Sequence, residues 1–269
     1  MKRFARFARP DGTAFCAEVE GTSPETDVAY VLDNLPWDGG RRTGEEQAAL
    51  GLARLCPAVP SKILCVGRNY AAHAKELGHE VPAEPLLFLK PPSALLDPGG
   101  TILLPRESER VEHEAELGVL IGRRARNVRR EDALHHVFGY TCVGDITARD
   151  LQKKDGQWTR AKGFDTFCPV GPQVVSGLDP TRLRVIARVG GQTRQDGLTA
   201  HMIFDVATLI AYASRVMTLE PGDLLVTGTP EGVGPLLPGD VLDIEVCSAE
   251  EGQPGIGVLS VRVAAPPPP

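Results

Sequence analysis

The sequence predicts a mainly β fold of the α+β class, and three features indicate it. Most apolar residues lie in short runs that are bounded by Gly or Pro, which is typical of strands. Few segments show the apolar spacing of a long helix. A Pro-Gly-Asp turn occurs twice, at 221–223 and 238–240, each time directly before an apolar run.

The first 58 residues are predicted to form a small N-terminal domain, followed by a larger catalytic domain over 59–263. Two runs, Phe4 to Phe7 and Thr13 to Val19, flank a Pro-Asp-Gly turn and predict a pair of strands. The spacing of apolar residues from Glu45 to Leu55 predicts a helix.

Composition narrows the function classes. The 269 residues carry a net charge of −6, which argues against nucleic acid as a partner, and the arginines within 123–130 fit a solvated helix start. Six cysteines without a Cys-x-x-Cys pair suit a reducing cytoplasm better than a zinc site. We expect a cytoplasmic protein without a membrane partner, because no signal peptide or run of ~20 apolar residues occurs. Residues 264–269, Ala-Ala-Pro-Pro-Pro-Pro, predict a disordered tail.

Three glutamates, Glu112, Glu114 and Glu116, alternate directly before an apolar run that ends at Ile121. On a strand, residues two apart point to the same face, so Glu114 and Glu116 would project side by side at the mouth of a buried strand. Like charges this close repel each other, and burial strengthens the repulsion. A divalent cation would relieve it, but a solvated edge that carries acids explains this segment equally well.

A second apolar strand also ends in an acid, Asp145. Folds assemble metal sites from carboxylates at the ends of different strands, and Asp145 would complete a set with Glu114 and Glu116. Such an all-carboxylate set selects a hard cation. His135 and His136 precede this strand and are predicted to be helix residues rather than ligands.

A short helical stretch, Ala71 to Leu77, follows the predicted strand Lys62 to Val66 and stops at Gly78. His73 and Glu76 share one face of it. A His beside a carboxylate is an acid–base arrangement, although a surface pair is the alternative. A segment this short and polar is also typical of a mobile lid.

Two lysines are further candidates for the site. Lys90 ends an apolar run, and we interpret it as an ordinary strand-end charge rather than a site cation. Lys162 lies in a polar, Gly-broken loop over 153–169 that carries three aromatic residues. Long loops with aromatic residues are often functional, so Lys162 is a candidate cation for an anionic substrate, with a solvated lysine as the alternative.

The remaining residues alternate strands with turns. Phe204 to Met217 has the spacing of a helix, and a strand from Leu224 leads into a Gly-rich loop that ends at Gly234. Such loops present backbone N–H groups to anions, although this one lacks the P-loop pattern. Further strands are predicted at 185–189, 192–193, 241–246 and 256–263, the first two as a hairpin.

Over roughly 60–263 the chain resembles the fumarylacetoacetate hydrolase family, in its branch of acylpyruvases and 2-hydroxyhepta-2,4-diene-1,7-dioate isomerases. The resemblance rests on six stretches in the family's order. They are Gly67-Arg-Asn-Tyr-Ala-Ala-His-Ala-Lys-Glu76, Phe88-Leu-Lys-Pro91, His113-Glu-Ala-Glu-Leu-Gly118, Gly144-Asp-Ile-Thr-Ala-Arg-Asp-Leu-Gln152, Lys162-Gly-Phe-Asp-Thr-Phe-Cys-Pro-Val-Gly-Pro172 and Thr227-Gly-Thr-Pro-Glu-Gly-Val-Gly234.

The resemblance implies a rolled, mixed β-sheet in the catalytic domain and usually a homodimer. It implies Mg²⁺ or Mn²⁺ held by the three carboxylates, in agreement with the hard-cation set. The pair of His73 and Glu76 matches the family's acid–base dyad on a lid, and Lys162 matches its active-site lysine. Substrate-contacting positions match Arg149, Gln152 and Thr229, and Arg68 and Tyr70 are two further candidates beside the lid.

The implied substrates are 2-oxo or β-diketo acids. We expect hydrolytic C–C cleavage of an acylpyruvate-type substrate, with water activated by His73. Isomerisation of 2-hydroxymuconate-type diacids and decarboxylation of oxaloacetate, as in the catabolism of aromatic compounds, are the alternatives. Fold and metal do not choose among these reactions.

Overall fold

The computed structural model describes residues 1–23, 25–250 and 252–266. Over these residues the chain forms twenty strands and four α-helices, which confirms the predicted mainly β class. The helices are α1 (Ala71–Glu76), α2 (Arg149–Asp155), α3 (Thr159–Lys162) and α4 (Val206–Val216). Segments of 3-10 helix lie at Pro36–Asp38, Pro92–Ala94, Arg130–His136 and Thr199–His201.

The strands are β1 (Lys2–Ala8), β2 (Ala14–Glu20), β3 (Val28–Leu32), β4 (Arg42–Ala48), β5 (Ala53–Leu55), β6 (Ile63–Gly67), β7 (Leu86–Lys90), β8 (Leu95–Leu96), β9 (Thr101–Leu103), β10 (Val111–His113), β11 (Ala115–Ile121), β12 (Val137–Gly144), β13 (Thr147–Ala148), β14 (Cys168–Ser176), β15 (Leu183–Val189), β16 (Gln192–Leu198), β17 (Leu224–Val226), β18 (Gly234–Pro235), β19 (Val241–Ser248) and β20 (Gly257–Ala264).

The largest sheet places the acidic segment near its centre. Its strand order is β4-β3-β2-β1-β14-β12-β11-β17-β6-β7, with β5 paired to β1 and β8 paired to β14. The sheet is mixed, because β6 runs parallel to β17 while most other neighbours are antiparallel. Every residue of β11 is buried, as expected for a strand covered on both faces.

A five-stranded sheet of order β16-β15-β19-β20-β9 packs on the large sheet and closes the main core. Side chains of β15 and β19, such as Val185 and Ile244, lie in one buried cluster with Leu117 and Val119 of β11. Burying each aliphatic side chain of this size contributes about 1.5–3 kcal/mol, so this contact fixes β11 firmly. A small sheet, β13-β10-β18, lies at the end of β11 that carries the acids.

The N-terminal residues continue the large sheet, because β1 pairs antiparallel with β14. They also have a small core of their own, which includes Phe7 and Phe15. The helix predicted from Glu45 to Leu55 was wrong. The spacing of its apolar residues suggested it, but the backbone of this segment pairs with β3 and β1 and turns at Gly51, where φ is +85°.

Several other elements are as predicted. The hairpin of β15 and β16 turns at Gly190-Gly191. Asp205 is the N-cap of α4, and its side chain accepts a hydrogen bond from the Thr208 N–H at 2.8 Å. His135 and His136 lie in the 3-10 turn before β12. The predicted tail begins inside β20, and its residues 267–269 lie outside the described part of the chain. No described helix is long and apolar enough to span a membrane.

Candidate metal centre and active site

The acidic segment is not one continuous strand, because it is interrupted at Glu114. Before this residue, β10 pairs within the small sheet; after it, β11 pairs within the large one. The register of β11 with β12 sets Ala115 opposite Gly144, and the Asp145 N–H donates to the Glu114 carbonyl at 2.8 Å. Pairing of these two strands therefore brings Asp145 beside the glutamates, although it lies 29 positions after Glu116 (145 − 116).

Glu114, Glu116 and Asp145 converge in the folded chain. One carboxylate oxygen from each lies within 4.8 Å of the others, and all three residues are at most 5% exposed. The donor set consists of oxygen alone, which suits Mg²⁺ or Mn²⁺ rather than a metal that prefers nitrogen or sulfur. The chemistry of these residues therefore fits the implied cation.

Two buried lysines compensate the charge of this carboxylate set. The Lys162 ammonium donates to Glu114 Oε2 at 2.7 Å and to Asp145 Oδ2 at 2.6 Å. Lys90 donates to Asp145 Oδ1 at 2.7 Å and to the Ile146 carbonyl at 3.1 Å. The interpretation of Lys90 as an ordinary strand-end charge was wrong, because its side chain is fully buried and turned toward Asp145. The solvated alternative for Lys162 is excluded by its burial.

Arg149 holds the acidic segment rather than standing free for a substrate. Its Nε donates to Glu112 Oε2 at 2.6 Å, and its Nη2 donates to Glu114 Oε1. Its Nη1 donates to Gln152 Oε1 at 2.7 Å. Glu112 is 2% exposed and ion-paired with Arg149. It therefore helps to hold the guanidinium that contacts Glu114.

The pKa values of Glu114 and Glu116 are shifted in opposite directions. Burial opposes the charge of Glu114, but Lys162 and Arg149 together outweigh it and hold the pKa of this carboxyl well below its usual range. Burial, together with the Asp145 and Glu114 carboxylates, raises the pKa of Glu116 well above its usual range. The Gly228 N–H donates to Glu116 but does not reverse this. A divalent cation would favour the ionised form of Glu116 and release its proton.

His73 and Glu76 form an acid–base pair in which the imidazole is buried and the carboxylate is exposed. His73 Nδ1 lies 3.2 Å from Glu76 Oε2, and His73 is 4% exposed. The Glu76 carboxylate also accepts the Gly232 N–H at 3.1 Å, which ties α1 to the Gly-rich loop. When Nδ1–H donates to Glu76, Nε2 is left as a base.

Gln195, which the sequence analysis did not single out, fixes Thr229. Its Nε2 donates to Thr229 Oγ1 at 2.7 Å and to the Pro230 carbonyl at 2.8 Å. Its Oε1 accepts the Ala115 N–H at 2.9 Å, and Thr229 Oγ1 donates to the Ala115 carbonyl at 2.8 Å. One buried amide thus joins the Gly-rich loop to the metal strand. A single Gln in a hairpin carries no pattern from which this could be predicted.

These groups surround one cavity of about 350 Å³. The predicted residues that line it are Arg68, His73, Glu114, Glu116, Asp145, Arg149, Gln152, Lys162 and Thr229. Tyr70, predicted to contact substrate, does not line the cavity. The backbone of Tyr70 forms a bridge with Met202, and the residue is 2% exposed. Glu76, predicted to be catalytic, does not line the cavity either and reaches it through His73.

Comparisons with known proteins cover most of the chain. The family model described as fumarylacetoacetate (FAA) hydrolase, C-terminal, matches residues 62–264. A mitochondrial oxaloacetate tautomerase of Arabidopsis thaliana is 48% identical over 199 residues, which are 72% of this chain and 89% of the relative. A mitochondrial oxaloacetate decarboxylase of Dictyostelium discoideum is 49% identical over 188 residues, 67% of this chain and 86% of that protein.

A solved structure also matches the N-terminal segment. The crystal structure of a 2-hydroxyhepta-2,4-diene-1,7-dioate isomerase from Mycobacterium marinum has a TM-score of 0.88 to this chain at 40% sequence identity. The match covers 98% of this chain and 99% of the isomerase. The continuous sheet that joins β1 to β14 therefore has a counterpart in a solved structure.

Proposed function

Because the chain belongs to the fumarylacetoacetate hydrolase family, we propose that it is a metal-dependent isomerase of 2-oxo acids, which moves a proton on the carbon next to the 2-oxo group. The observation that carries the proposal is the pair of His73 and Glu76, because its buried imidazole lines the same cavity as the carboxylate set. Two relatives are named as a tautomerase and a diene-dioate isomerase, and both reactions relocate a proton.

Glu114, Glu116 and Asp145 would hold Mg²⁺ or Mn²⁺, which supplies, when bound, a Lewis acid for the negative charge that develops on the 2-oxo oxygen. Lys162 lines the cavity beside them and adds a fixed positive charge next to the 2-oxo carboxylate end of the substrate. These residues orient the 2-oxo acid, and they do not themselves take the proton.

Proton transfer falls to His73. Nδ1 is held by Glu76, so the ring orientation is set and Nε2 accepts the proton from carbon. The imidazolium that results is stabilised by the Glu76 carboxylate, and it returns the proton to the oxygen or to a different carbon. The Gly232 N–H keeps Glu76 in place during this cycle.

Hydrolytic cleavage of an acylpyruvate, the reaction that the sequence favoured, is the second candidate. The cavity of about 350 Å³ favours it. One water occupies roughly 30 Å³, so a short 2-oxo acid leaves room for an attacking water beside His73. We place isomerisation first because the tautomerase and the diene-dioate isomerase described above are both named for isomerisations.

The test compares the two reactions on the metal-loaded protein. With Mg²⁺ or Mn²⁺ we expect the protein to accelerate the ketonisation of enol-oxaloacetate above its spontaneous rate, as measured by ultraviolet absorbance. With EDTA we expect no acceleration. An acylpyruvate should release little pyruvate. The variant His73→Ala should lose ketonisation, whereas His201→Ala, an exposed histidine outside the cavity, should not. If pyruvate release were the only metal-dependent activity, hydrolysis would replace isomerisation as the function.

We also propose a homodimer, as the family resemblance implies, and a cytoplasmic location, which the scattered cysteines suit. Sedimentation equilibrium of the full chain would give twice the monomer mass of 28.8 kDa. A monomer at micromolar concentration would contradict the dimer and leave the active-site proposal unaffected.

A further inference from the structure

We propose that Arg68 and Lys153, at the mouth of the cavity, bind a second carboxylate of the substrate, so that the enzyme selects short 2-oxo dicarboxylates over 2-oxo monocarboxylates. The inference rests on the proposed function, because the carboxylate set and Lys162 place the 2-oxo end. It assigns the opposite end of the same cavity, which Arg68 and Lys153 both line.

The first observation is a difference in pairing. The buried cations beside the carboxylate set, Lys90, Arg149 and Lys162, each donate to a carboxylate. Within the described part of the chain, neither Arg68 nor Lys153 has an ion-pair partner. Two cations that line a cavity and have no ion-pair partner are available to a ligand anion. Their lack of a partner does not reflect a surplus of basic residues, because the net charge of the chain is −6.

The second observation is that the cavity wall orients Arg68. Its guanidinium lies 5.9 Å from the centroid of the Trp158 ring. Trp158 packs edge-on against Phe88 and also against Gly67, where an added Cβ would lie 2.8 Å from the indole. Arg68 adopts φ +57°, a conformation that non-glycine residues hold only where the surroundings impose it. The guanidinium is thus positioned before any ligand arrives.

The third observation is the position of Lys153 on α2. Arg149, one turn earlier on this helix, donates to Glu114. Residues four apart share a helix face, and four residues advance about 6 Å along the axis. Lys153 therefore lies one helical turn beyond Arg149, and it is exposed where Arg149 is buried. An advance of about 6 Å is comparable to the span of a short dicarboxylate.

His79 is consistent with a cationic mouth. It also lines the cavity, and the pKa of its imidazole is lowered by burial first and then by Arg68, His73, Arg149 and Lys153. Two of the charges that lower this pKa are those of Arg68 and Lys153. Such a local field attracts a dianion more strongly than a monoanion.

The test uses two ligands of equal carbon number, 2-oxoglutarate and 2-oxopentanoate, which differ in a terminal carboxylate against a methyl group. Calorimetric titration of the Mn²⁺-loaded protein should give at least about tenfold tighter binding of 2-oxoglutarate. Arg68→Gln and Lys153→Gln should each weaken 2-oxoglutarate by about tenfold and leave 2-oxopentanoate within about twofold. Arg68→Lys, which keeps the charge, should recover part of the loss.

Lys154→Gln is the matched control, because Lys154 is an exposed neighbour on α2 that does not line the cavity. It should bind both ligands as the unmodified protein does. Equal affinity for the two ligands, or a parallel loss of both in Arg68→Gln, would overturn the subsite while leaving the 2-oxo acid proposal intact. Binding of neither ligand would overturn the proposed function and the subsite with it.

Discussion

The two ends of the cavity handle positive charge in opposite ways. At the inner end Lys90 and Lys162 are at most 2% exposed, and each ammonium touches a carboxylate. At the mouth Lys153 is exposed and Arg68 is half-buried, and no carboxylate pairs with either in the described chain. Burial makes an unpaired charge costly, so the inner cations must be compensated by the protein itself. Water solvates the outer cations, which leaves them free for a ligand.

This contrast separates two kinds of experimental effect. Changes at the inner end should alter metal affinity and the free energy of unfolding, because each charge there is part of a buried network. Changes at the mouth should alter which ligand is bound and leave the fold alone. The predictions below test that separation, beginning with the inner end.

Asp145→Asn should have the largest effect. The amide keeps the shape of the side chain but removes its negative charge. That charge belongs to one of the three carboxylates of the set, and it is the partner of both Lys90 and Lys162. We expect Mn²⁺ affinity, measured by titration calorimetry, to fall by at least about 100-fold, together with metal-dependent turnover. The control Asp155→Asn changes an exposed acid on α2 and should bind Mn²⁺ normally. Full turnover of Asp145→Asn would show that the carboxylate set is not the metal site.

His73→Ala should lower the rate of proton transfer by about 10²- to 10⁴-fold, which is the usual contribution of a positioned acid–base group. Mn²⁺ affinity should change little, because His73 makes no hydrogen bond to the carboxylate set. Glu76→Gln keeps a hydrogen-bond partner for Nδ1 and should lose less. Stopped-flow ketonisation beside Mn²⁺ titration separates the two quantities. A fall in metal affinity equal to the fall in rate would assign His73 to the metal site instead.

Lys90→Met should lower the free energy of unfolding of the metal-free protein by about 3 kcal/mol. The thioether fills a similar volume, but Asp145 loses one of its two ammonium partners. Mn²⁺ should recover much of the loss, because the cation replaces the missing charge. Chemical denaturation with and without Mn²⁺ measures both terms. Lys154→Met, at an exposed position, should leave both unchanged; equal behaviour of the two variants would remove Lys90 from the network.

The inner end was largely predictable from the sequence, and the reason is periodicity. Alternation along a strand sets Glu114 and Glu116 on one face, and a second apolar run that ends in an acid pointed to Asp145. The structure brings these three side chains together, although the chain breaks strand pairing at Glu114 itself. A local pattern is sufficient where the chemistry needs neighbours on one strand.

Groups whose roles depend on distant pairing were not predictable. Lys90 is the last residue of β7, and it faces Asp145 only because β7 pairs with β6 in the large sheet. Gln195 reaches Thr229 across 34 positions. The false helix from Glu45 to Leu55 has the same origin, since its apolar spacing fits a helix but its backbone pairs with β3 and β1. Single-sequence patterns do not contain these registers.

Salt should give the smallest effect and the sharpest distinction between the two ends. The Debye length falls from about 10 Å at 0.1 M to about 3 Å at 1 M, so exposed charges are screened while buried pairs are much less affected. Raising NaCl from about 0.1 to 0.5 M should weaken 2-oxoglutarate binding by about threefold, because its distal carboxylate meets solvated Arg68 and Lys153. Binding of 2-oxopentanoate should change less. The ratio of the two dissociation constants, measured on the same Mn²⁺-loaded protein, cancels any salt effect on the metal. A ratio that stays constant with salt would mean that the mouth does not contribute charge to ligand selection.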